Sequence, residues 1–207
     1  MVSLIDETIS NDMETRILHA ATRVFVKLGR KGTSMQDIAD EAGINRPLLN
    51  YYFRSKDKLF NLIFERTFAK LLPDIVLIVN SDIPFRNKII AFVEHYYKVL
   101  LENPLIPLFI MHEVATNPEQ LIKVFNEKGI EPRKIIQQIN DEMEKGLIKK
   151  MDPTHVLINM LSLIIFPFAA APILEAFIFE GDRARYNEYM QERMHFLKSY
   201  CVEILKP

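Results

Sequence analysis

Side chains that can bind DNA are concentrated between residues 33 and 56. Arg46 can donate two parallel hydrogen bonds to guanine O6 and N7, and Asn50 can pair in a similar bidentate way with adenine N6 and N7. Leu48 offers an apolar surface that suits the thymine methyl group. Other residues of this stretch carry hydroxyl or ammonium groups that can bind phosphate oxygens, and they are Thr33, Ser34, Tyr51, Tyr52 and Lys56. For Tyr51, packing of the ring inside the domain is an equal alternative.

The positive charge of the chain is concentrated in the same region. The whole chain has 26 basic and 27 acidic residues, a formal net charge of −1. Residues 14–60 contain nine basic and five acidic side chains, whereas residues 61–207 contain 17 and 19. A basic segment at residues 14–60 beside a weakly acidic remainder suits an anionic partner, although a basic surface that contacts only water would have the same composition.

Helix start and stop signals place the first of these residues at the beginning of a short helix. Apolar residues recur at helical spacing from Ile17 to Leu28, and Gly29 is expected to end that helix. The run Ser34-Met-Gln-Asp37 has the capping-box pattern, in which a hydroxyl caps a new helix and an acidic side chain three residues later reaches back. A second helix is therefore predicted to begin just after Ser34.

The following residues predict a sharp turn and a third helix. Gly43 permits the turn, Asn45 is a suitable N-cap, and Pro47 is tolerated in the first helical turn. This helix must end near Arg54, because Ser55 is suited to cap the next one, whose first amides can bind an anion. Two short helices joined by a glycine turn fit a helix-turn-helix, in which the second helix enters the major groove. The small core that orients them is predicted to contain Ile38, Ala39, Ile44, Leu49 and Phe53.

Several linked positions between Ile17 and about Phe64 follow a known pattern. They are Ile17-Leu-His-Ala-Ala21, Phe25, Gly29, Thr33-Ser34, Asp37-Ile-Ala39, Ala42-Gly-Ile44, Leu49, Tyr52-Phe53, Ser55-Lys56 and Leu59. At these positions the segment resembles the DNA-binding domain of the TetR/AcrR family of bacterial transcriptional regulators. The resemblance implies a homodimer that binds a palindromic operator on double-stranded DNA, usually as a repressor that a small hydrophobic effector releases.

The resemblance also implies roles for individual residues. Phosphate contacts are expected from Thr33, Tyr52 and Lys56, and base contacts from Arg46, Pro47, Leu48 and Asn50. The family usually has an aromatic residue where this chain has Asn50, so the usual contact there does not carry over. A polar, solvated Asn50 without a base partner is the alternative.

The chain is predicted to be all-α, because six glycines are too few for a turn-rich β protein. We expect an N-terminal three-helix DNA-binding domain at 1–55 and a C-terminal helical domain for effector binding and dimerisation at 56–207. Proline, asparagine and aspartate breaks divide the second part into predicted helices at 56–79, 84–102, 105–116, 118–128, 132–150, 153–180 and 183–205. The helix at 56–79 is expected to belong to both parts.

The last two helices are assigned to dimerisation by the family resemblance. The candidate interface residues are Phe166, Phe168, Tyr189, Arg193, Phe196, Leu197 and Tyr200, with core packing inside one subunit as the alternative. The 22 residues from Pro153 to Leu174 carry no Asp, Glu, Lys or Arg and are long enough to span a bilayer. Pro167 and Pro172 interrupt the stretch, so a buried helix pair or an interface is favoured over a membrane-associated protein.

An effector pocket is expected between the helices of residues 60–175, although a regulator without any small-molecule effector fits the sequence too. Candidate lining residues are Phe64, Phe68, His95, Tyr96, Phe109, Met111, His112, Glu113, Phe125, Asn159, Ser162, Phe166 and Phe168, each with ordinary core packing as its alternative. Glu113 and Glu175 lie in apolar runs and could pair with a cationic effector. An exposed or arginine-paired carboxylate is the simpler reading of both.

The sequence predicts no catalytic site, metal site or cofactor. The single cysteine, Cys201, excludes a disulfide framework and a four-thiolate zinc site, and it is expected to be a small buried apolar residue. His112 and Glu113 are adjacent on a predicted helix, where neighbouring side chains should point in different directions. Met1 to Ser10 lacks the basic and apolar regions of an export signal, so a cytoplasmic location is expected.

Overall fold

The computed structural model describes residues 2–207, with side chains from Asp12 onward, and all regular secondary structure in this range is helical. The prediction of an all-α chain is therefore confirmed. The helices are α1 Val2–Gly32, α2 Met35–Ala42, α3 Arg46–Tyr52, α4 Lys56–Asn80, α5 Phe85–Glu102, α6 Ile106–Thr116, α7 Pro118–Glu127, α8 Pro132–Glu144, α9 Pro153–Ala169, α10 Ala171–Ile173 and α11 Arg183–Glu203, with a π-helical turn at Leu174–Ile178 between the last two.

The chain forms two compact units. The first, here called the head, comprises the residues up to Ala69 together with Leu108–Glu113 of α6, and the second, the body, comprises Lys70–Pro107 and Val114–Pro207. The head is thus larger than the predicted domain 1–55, because it includes the first part of α4 and a short piece of α6. Its core contains the fully buried side chains of Ile17, Phe25, Ile38, Leu49 and Phe60.

Gly29 interrupts α1, as its position in the sequence predicts. Its backbone has φ 69° and ψ 166°, a conformation open almost only to glycine, and a last helical turn follows at residues 30–32. The Gly29 carbonyl accepts hydrogen bonds from the backbone N–H and from the hydroxyl of Thr33, at 3.2 Å and 2.7 Å. These two bonds close the end of α1 and fix the point from which α2 can start.

The capping box predicted for α2 is present in full. The Ser34 hydroxyl oxygen accepts a hydrogen bond from the backbone N–H of Asp37 at 3.1 Å, and the Asp37 carboxylate accepts one from the backbone N–H of Ser34 at 2.7 Å. The hydrogen bonds from the Ser34 hydroxyl and backbone lower the pKa of the Asp37 carboxyl from its ordinary value. The box orients the two residues on which the start of α2 depends.

Gly43 and Asn45 build the turn into α3. Gly43 adopts the left-handed conformation with φ 64° and ψ 38° at the end of α2. Asn45 caps α3, its side-chain oxygen accepting a hydrogen bond from the backbone N–H of Leu48 at 2.9 Å, and Pro47 lies in the first helical turn. The predicted core is buried at Ile38, Ala39, Leu49 and Phe53, whereas Ile44 is half-buried.

The core of the body is formed by α5, α9 and α11. The ring of Tyr97 is fully buried, meets Phe168 edge-to-face with the ring centroids 5.1 Å apart, and donates its hydroxyl to the Met190 sulfur at 3.5 Å. Burial raises the pKa of Tyr97, and it raises the pKa of Tyr96 to about 12. Cys201 is also fully buried, and its burial raises the pKa of the thiol.

Two predicted helices differ from those observed. The helix predicted at 132–150 ends at Glu144, because Gly146 has φ 70° and turns the chain away. The helix predicted at 153–180 is divided into α9, α10 and the π-helical turn. The regular helix ends at Ala169, and Pro172 lies in the first turn of α10, where its missing backbone N–H needs no helical partner. Pro167, expected from the sequence to interrupt the stretch, lies inside α9, so that part of the prediction is wrong.

No single helix within residues 2–207 is both long and apolar enough to cross a bilayer. The successive segments Pro153–Ala169 and Ala171–Ile178 together have the required length and composition, but they are bent by 59°.

Replacing Ser34 by Ala should remove the hydroxyl half of the capping box and destabilise the head by about 1 kcal/mol. Urea unfolding followed by circular dichroism measures the change, and Ser199→Ala, an exposed position inside α11, is the control with an expected change near zero. A Ser34 variant as stable as the unchanged protein would show that the cap contributes nothing.

Candidate nucleic-acid interface

Helix α3 presents a mostly polar face to solvent. Arg46, Pro47 and Asn50 are exposed, Leu48 is half-buried, and Leu49 is fully buried in the head. The burial of Leu49 fixes the rotation of the helix, so that Arg46, Pro47 and Asn50 face solvent and Leu48 is partly exposed. These four are the residues predicted to contact bases.

Arg46 is available for a bidentate contact. Among the described residues it forms no ion pair and no hydrogen bond, in contrast to two other arginines of the head. Arg23 pairs with Glu41 at 2.6 Å, and Arg30 pairs with Asp57 at 2.9 Å. The guanidinium of Arg46 therefore has all its donors free for an external acceptor.

The two tyrosines at the end of α3 extend this surface. Tyr51 is 81% exposed, so its ring does not pack inside the domain. Tyr52 is half-buried and meets the Tyr51 ring edge-to-face, with the centroids 5.4 Å apart. Both positions remain compatible with the predicted contacts to phosphate.

Thr33 departs from its prediction. Its side chain is 3% exposed, and its hydroxyl donates to the Gly29 carbonyl, so it serves to close α1 and does not face a phosphate. The neighbouring Ser34 is exposed, with its hydroxyl donating to the Asp37 carboxylate at 2.7 Å. Lys56, at the start of α4, is half-buried, and its ammonium group donates to the Thr33 carbonyl at 2.8 Å.

The predicted pocket residues fall into separate places. In the head, Phe64, Phe68 and Phe109 are buried against one another, with the Phe64 ring centroid 4.7 Å from that of Phe68 and 6.5 Å from that of Phe109. This arrangement is the core-packing alternative. Met111, also in the head, is exposed.

The remaining pocket candidates lie in the body. His95 contacts Asp74 through Nδ1 at 3.1 Å and Tyr96 is buried, whereas Phe125 is half-buried. Phe168 is buried, and three further candidates are exposed, namely Asn159, Ser162 and Phe166. A shared lining for all thirteen residues therefore stays a prediction.

The two carboxylates singled out in the sequence have different environments. Glu113 is 2% exposed, and its Oε1 lies 3.5 Å from His112 Nδ1, so these neighbours on α6 approach each other against the expectation that they diverge. Glu175 is partly exposed and lies 3.9 Å from Arg183, which is the arginine-paired alternative.

The predicted dimer residues divide between surface and core. Phe166, Phe196 and Tyr200 are exposed, and the last two rings stack with centroids 5.2 Å apart. Tyr189 and Arg193 are half-buried and joined by a hydrogen bond of 2.9 Å from the arginine.

Phe168 and Leu197 are buried within the chain itself, which is the core-packing alternative for these two residues. Sequence reasoning missed three exposed apolar residues around the π-helical turn, namely Ile173, Phe177 and Ile178. Their signal was present, since the apolar run continues beyond Pro172.

No group of three His, Cys, Asp or Glu side chains among the described residues could hold a metal ion. The surface made by α2, α3 and the start of α4 is instead a set of hydrogen-bond donors and aromatic rings on a small rigid core.

Known proteins resemble this chain in the segment that contains this surface and beyond it. Residues 17–63 match the family model for bacterial regulatory proteins of the tetR family. An HTH-type transcriptional regulator of Bacillus subtilis, YhgD, is 26% identical over 76% of this chain and 83% of its own length. The negative transcriptional regulator IcaR of the biofilm operon icaADBC in Staphylococcus epidermidis is 24% identical over 90% of this chain and 100% of its own length.

The fold also matches solved structures along nearly the whole chain. The crystal structure of a mutant of the HlyIIR protein superposes with a TM-score of 0.64 and 21% identity, covering 95% of this chain and 98% of that one. The likeness extends beyond the head, so the fold, an N-terminal helix-turn-helix domain followed by a helical C-terminal domain, is shared.

Proposed function

The chain belongs to the TetR family of bacterial regulatory proteins and is a DNA-binding transcriptional regulator, not an enzyme. From this premise we propose that it represses transcription as a homodimer on a palindromic operator. The observation that carries the proposal is α3 itself, capped by Asn45, fixed by buried Leu49 and presenting an unpaired Arg46. The site of action is the cytoplasm, where bacterial operators lie.

The head divides its contacts between bases and phosphates. Arg46 reads guanine and Asn50 reads adenine, while Pro47 and Leu48 supply apolar contact in the major groove. Phosphates are held by Ser34, Tyr51, Tyr52 and Lys56. Thr33 contributes indirectly, since its hydroxyl and backbone N–H fix the end of α1 beside Ser34.

Repression is supported by IcaR, which is described as a negative regulator and aligns with 90% of this chain. A repressor of this kind needs the α3 helices of its two subunits about 34 Å apart, which is one helical turn of DNA, so that they enter successive major grooves. A small hydrophobic effector that binds a second dimer geometry more tightly would lower the population able to dock on the operator. Helix α4 begins at Lys56 and is the element through which we expect that change to reach the head.

Selection of binding sites from random DNA by the full-length protein tests the function directly. The expected result is a palindrome whose half-site centres lie about 10 base pairs apart. The selected site is then placed over a reporter promoter in bacteria. Lower expression with the protein supports repression, higher expression shows an activator, and the absence of any enriched sequence contradicts specific DNA binding.

Arg46→Ala should lower affinity mainly at one base pair of the selected site. The expected cost is about 1–3 kcal/mol against the preferred base, with similar affinity for all four bases at that position afterwards. Fluorescence anisotropy on a set of single-substituted duplexes measures it. Preserved discrimination at every position would remove Arg46 from the base contacts.

Lys56→Ala should weaken binding to all duplexes about equally and reduce the slope of log K against log salt by about 1. Because Lys56 also holds the Thr33 carbonyl, thermal unfolding of the variant is measured in parallel, with Lys98→Ala on the exposed face of α5 as control. Identical losses for Arg46→Ala and Lys56→Ala on every sequence would contradict the division between base and phosphate contacts.

Phe196→Asp should weaken the dimer, because it places a charge in the exposed aromatic pair with Tyr200. Sedimentation velocity should show a monomer and a loss of cooperative binding to the palindrome. Leu77→Asp, an equally drastic change at an exposed apolar residue of α4, is the control and should remain dimeric. A dimeric Phe196 variant would exclude this face from the interface.

A further inference from the structure

His112 of α6 lies directly against Gly29 at the end of α1. A Cβ atom built on Gly29 would lie 2.7 Å from Cε1 of the imidazole and closer still to Nε2, within the van der Waals radii of both. The imidazole therefore occupies the space that any other residue at position 29 would fill. Since Gly29 also has φ 69°, two independent constraints keep a side chain away from this point.

The imidazole is held from its other side. His112 Nδ1 lies 3.5 Å from the carboxylate of Glu113, which is almost completely buried. Phe109, one helical turn earlier, is buried with its ring centroid 5.3 Å from that of Phe60 on α4. The aromatic contact packs this part of α6 into the head, and the imidazole lies between the Glu113 carboxylate and Gly29.

Gly29, against which the imidazole packs, begins a chain of hydrogen bonds. The Gly29 carbonyl receives both donors of Thr33, and the Thr33 carbonyl in turn receives the ammonium group of Lys56. Ser34 follows immediately and caps α2. The imidazole therefore contacts Gly29, and Gly29 is connected through Thr33 to both Ser34 and Lys56.

We propose that His112 is a positioning residue for DNA binding: it fixes the joint at Gly29–Thr33 and thereby holds Ser34 and Lys56 at the spacing of the phosphates. The proposal rests on the proposed function for its DNA part. The proposal assigns the imidazole no DNA contact of its own, since its described contacts are with Gly29 and with Glu113.

His112 acts through its packing against the Gly29 backbone. Without the imidazole, the Gly29 backbone gains room to move, and the carbonyl no longer meets both Thr33 donors in one geometry. The phosphate contacts become weaker, because they depend on the distance between Ser34 at the start of α2 and Lys56 at the start of α4. Helix α3 keeps its position, because it is fixed by its own cap and by Leu49. Loss of His112 should therefore affect phosphate contacts and spare base discrimination.

The first experiment uses the free full-length protein with no DNA. Amide hydrogen exchange at Thr33 should become about tenfold faster in His112→Ala, because its acceptor on Gly29 is loosened. His112→Gln keeps a planar group of similar reach and should restore most of the protection. His19→Ala, an exposed histidine of α1, is the matched control and should leave the Thr33 exchange rate unchanged.

The second experiment measures binding to the selected operator over a range of salt concentrations. For His112→Ala we expect an affinity about tenfold lower on all sequences and a salt slope smaller by about 1 to 2, with the Arg46-dependent base preference retained. Stoichiometric titration gives the active fraction, which should equal that of the unchanged protein. A reduced active fraction with an unchanged slope would mean that His112 only supports folding and would overturn the proposal.

The two experiments separate the proposal from the function on which it rests. If the unchanged protein binds no duplex, the regulator assignment of the head fails, while the exchange rate at Thr33 still reports whether His112 fixes the joint. If Thr33 exchange is unaltered in His112→Ala, or altered equally in His19→Ala, the positioning role is wrong whatever the DNA result.

Discussion

The position of α2 depends on one carbonyl group, that of Gly29. It accepts both donors of Thr33 and so determines where the chain leaves α1 and where Ser34 can begin the next helix. The segment between α1 and α2 is held further by Lys56, which donates to the Thr33 carbonyl, and by the capping box of Ser34. The cap of α2, the glycine turn at Gly43 and the cap of α3 then follow as consequences of local chemistry.

The sequence was informative where structure is decided locally. The capping box at Ser34, the left-handed Gly43 and the Asn45 cap are short-range interactions, and each was predictable from residue type and spacing. The exposed face of α3 followed from the burial of Leu49. The resemblance to a known family rests on these same positions. It therefore predicts residue roles in the head and few in the body.

Other features depend on contacts between distant segments and could not be read from the sequence. Thr33 has a hydroxyl suited to phosphate, but its partner is the Gly29 carbonyl in the interior of the head. Phe168 and Leu197 lie in segments where apolar residues occur on several helix faces, so the sequence pattern does not show which face is buried. Their packing against α5 shows that they face inward. The approach of His112 to Glu113 depends on how α6 packs, and helical periodicity argues against it.

The body shows where a periodic prediction fails. The apolar pattern continues through Pro172, but the regular helix ends at Ala169, and α10 and a π-helical turn follow, with Phe177 78% exposed. Hydrophobic periodicity describes which residues avoid water in a regular helix. It does not describe an interrupted segment, and Phe177 and Ile178 are exposed in the π-helical turn that follows the interruption.

The burial of Cys201 has a practical consequence. It is the sole cysteine of the chain, it is fully covered, and its raised thiol pKa leaves little of the reactive thiolate at neutral pH. A cysteine introduced at a surface position could therefore be modified selectively with a maleimide spin label or fluorophore, without removing the native thiol. Pairs of such labels would give distances between subunits in solution, and hence the separation of the two reading helices with and without bound molecules.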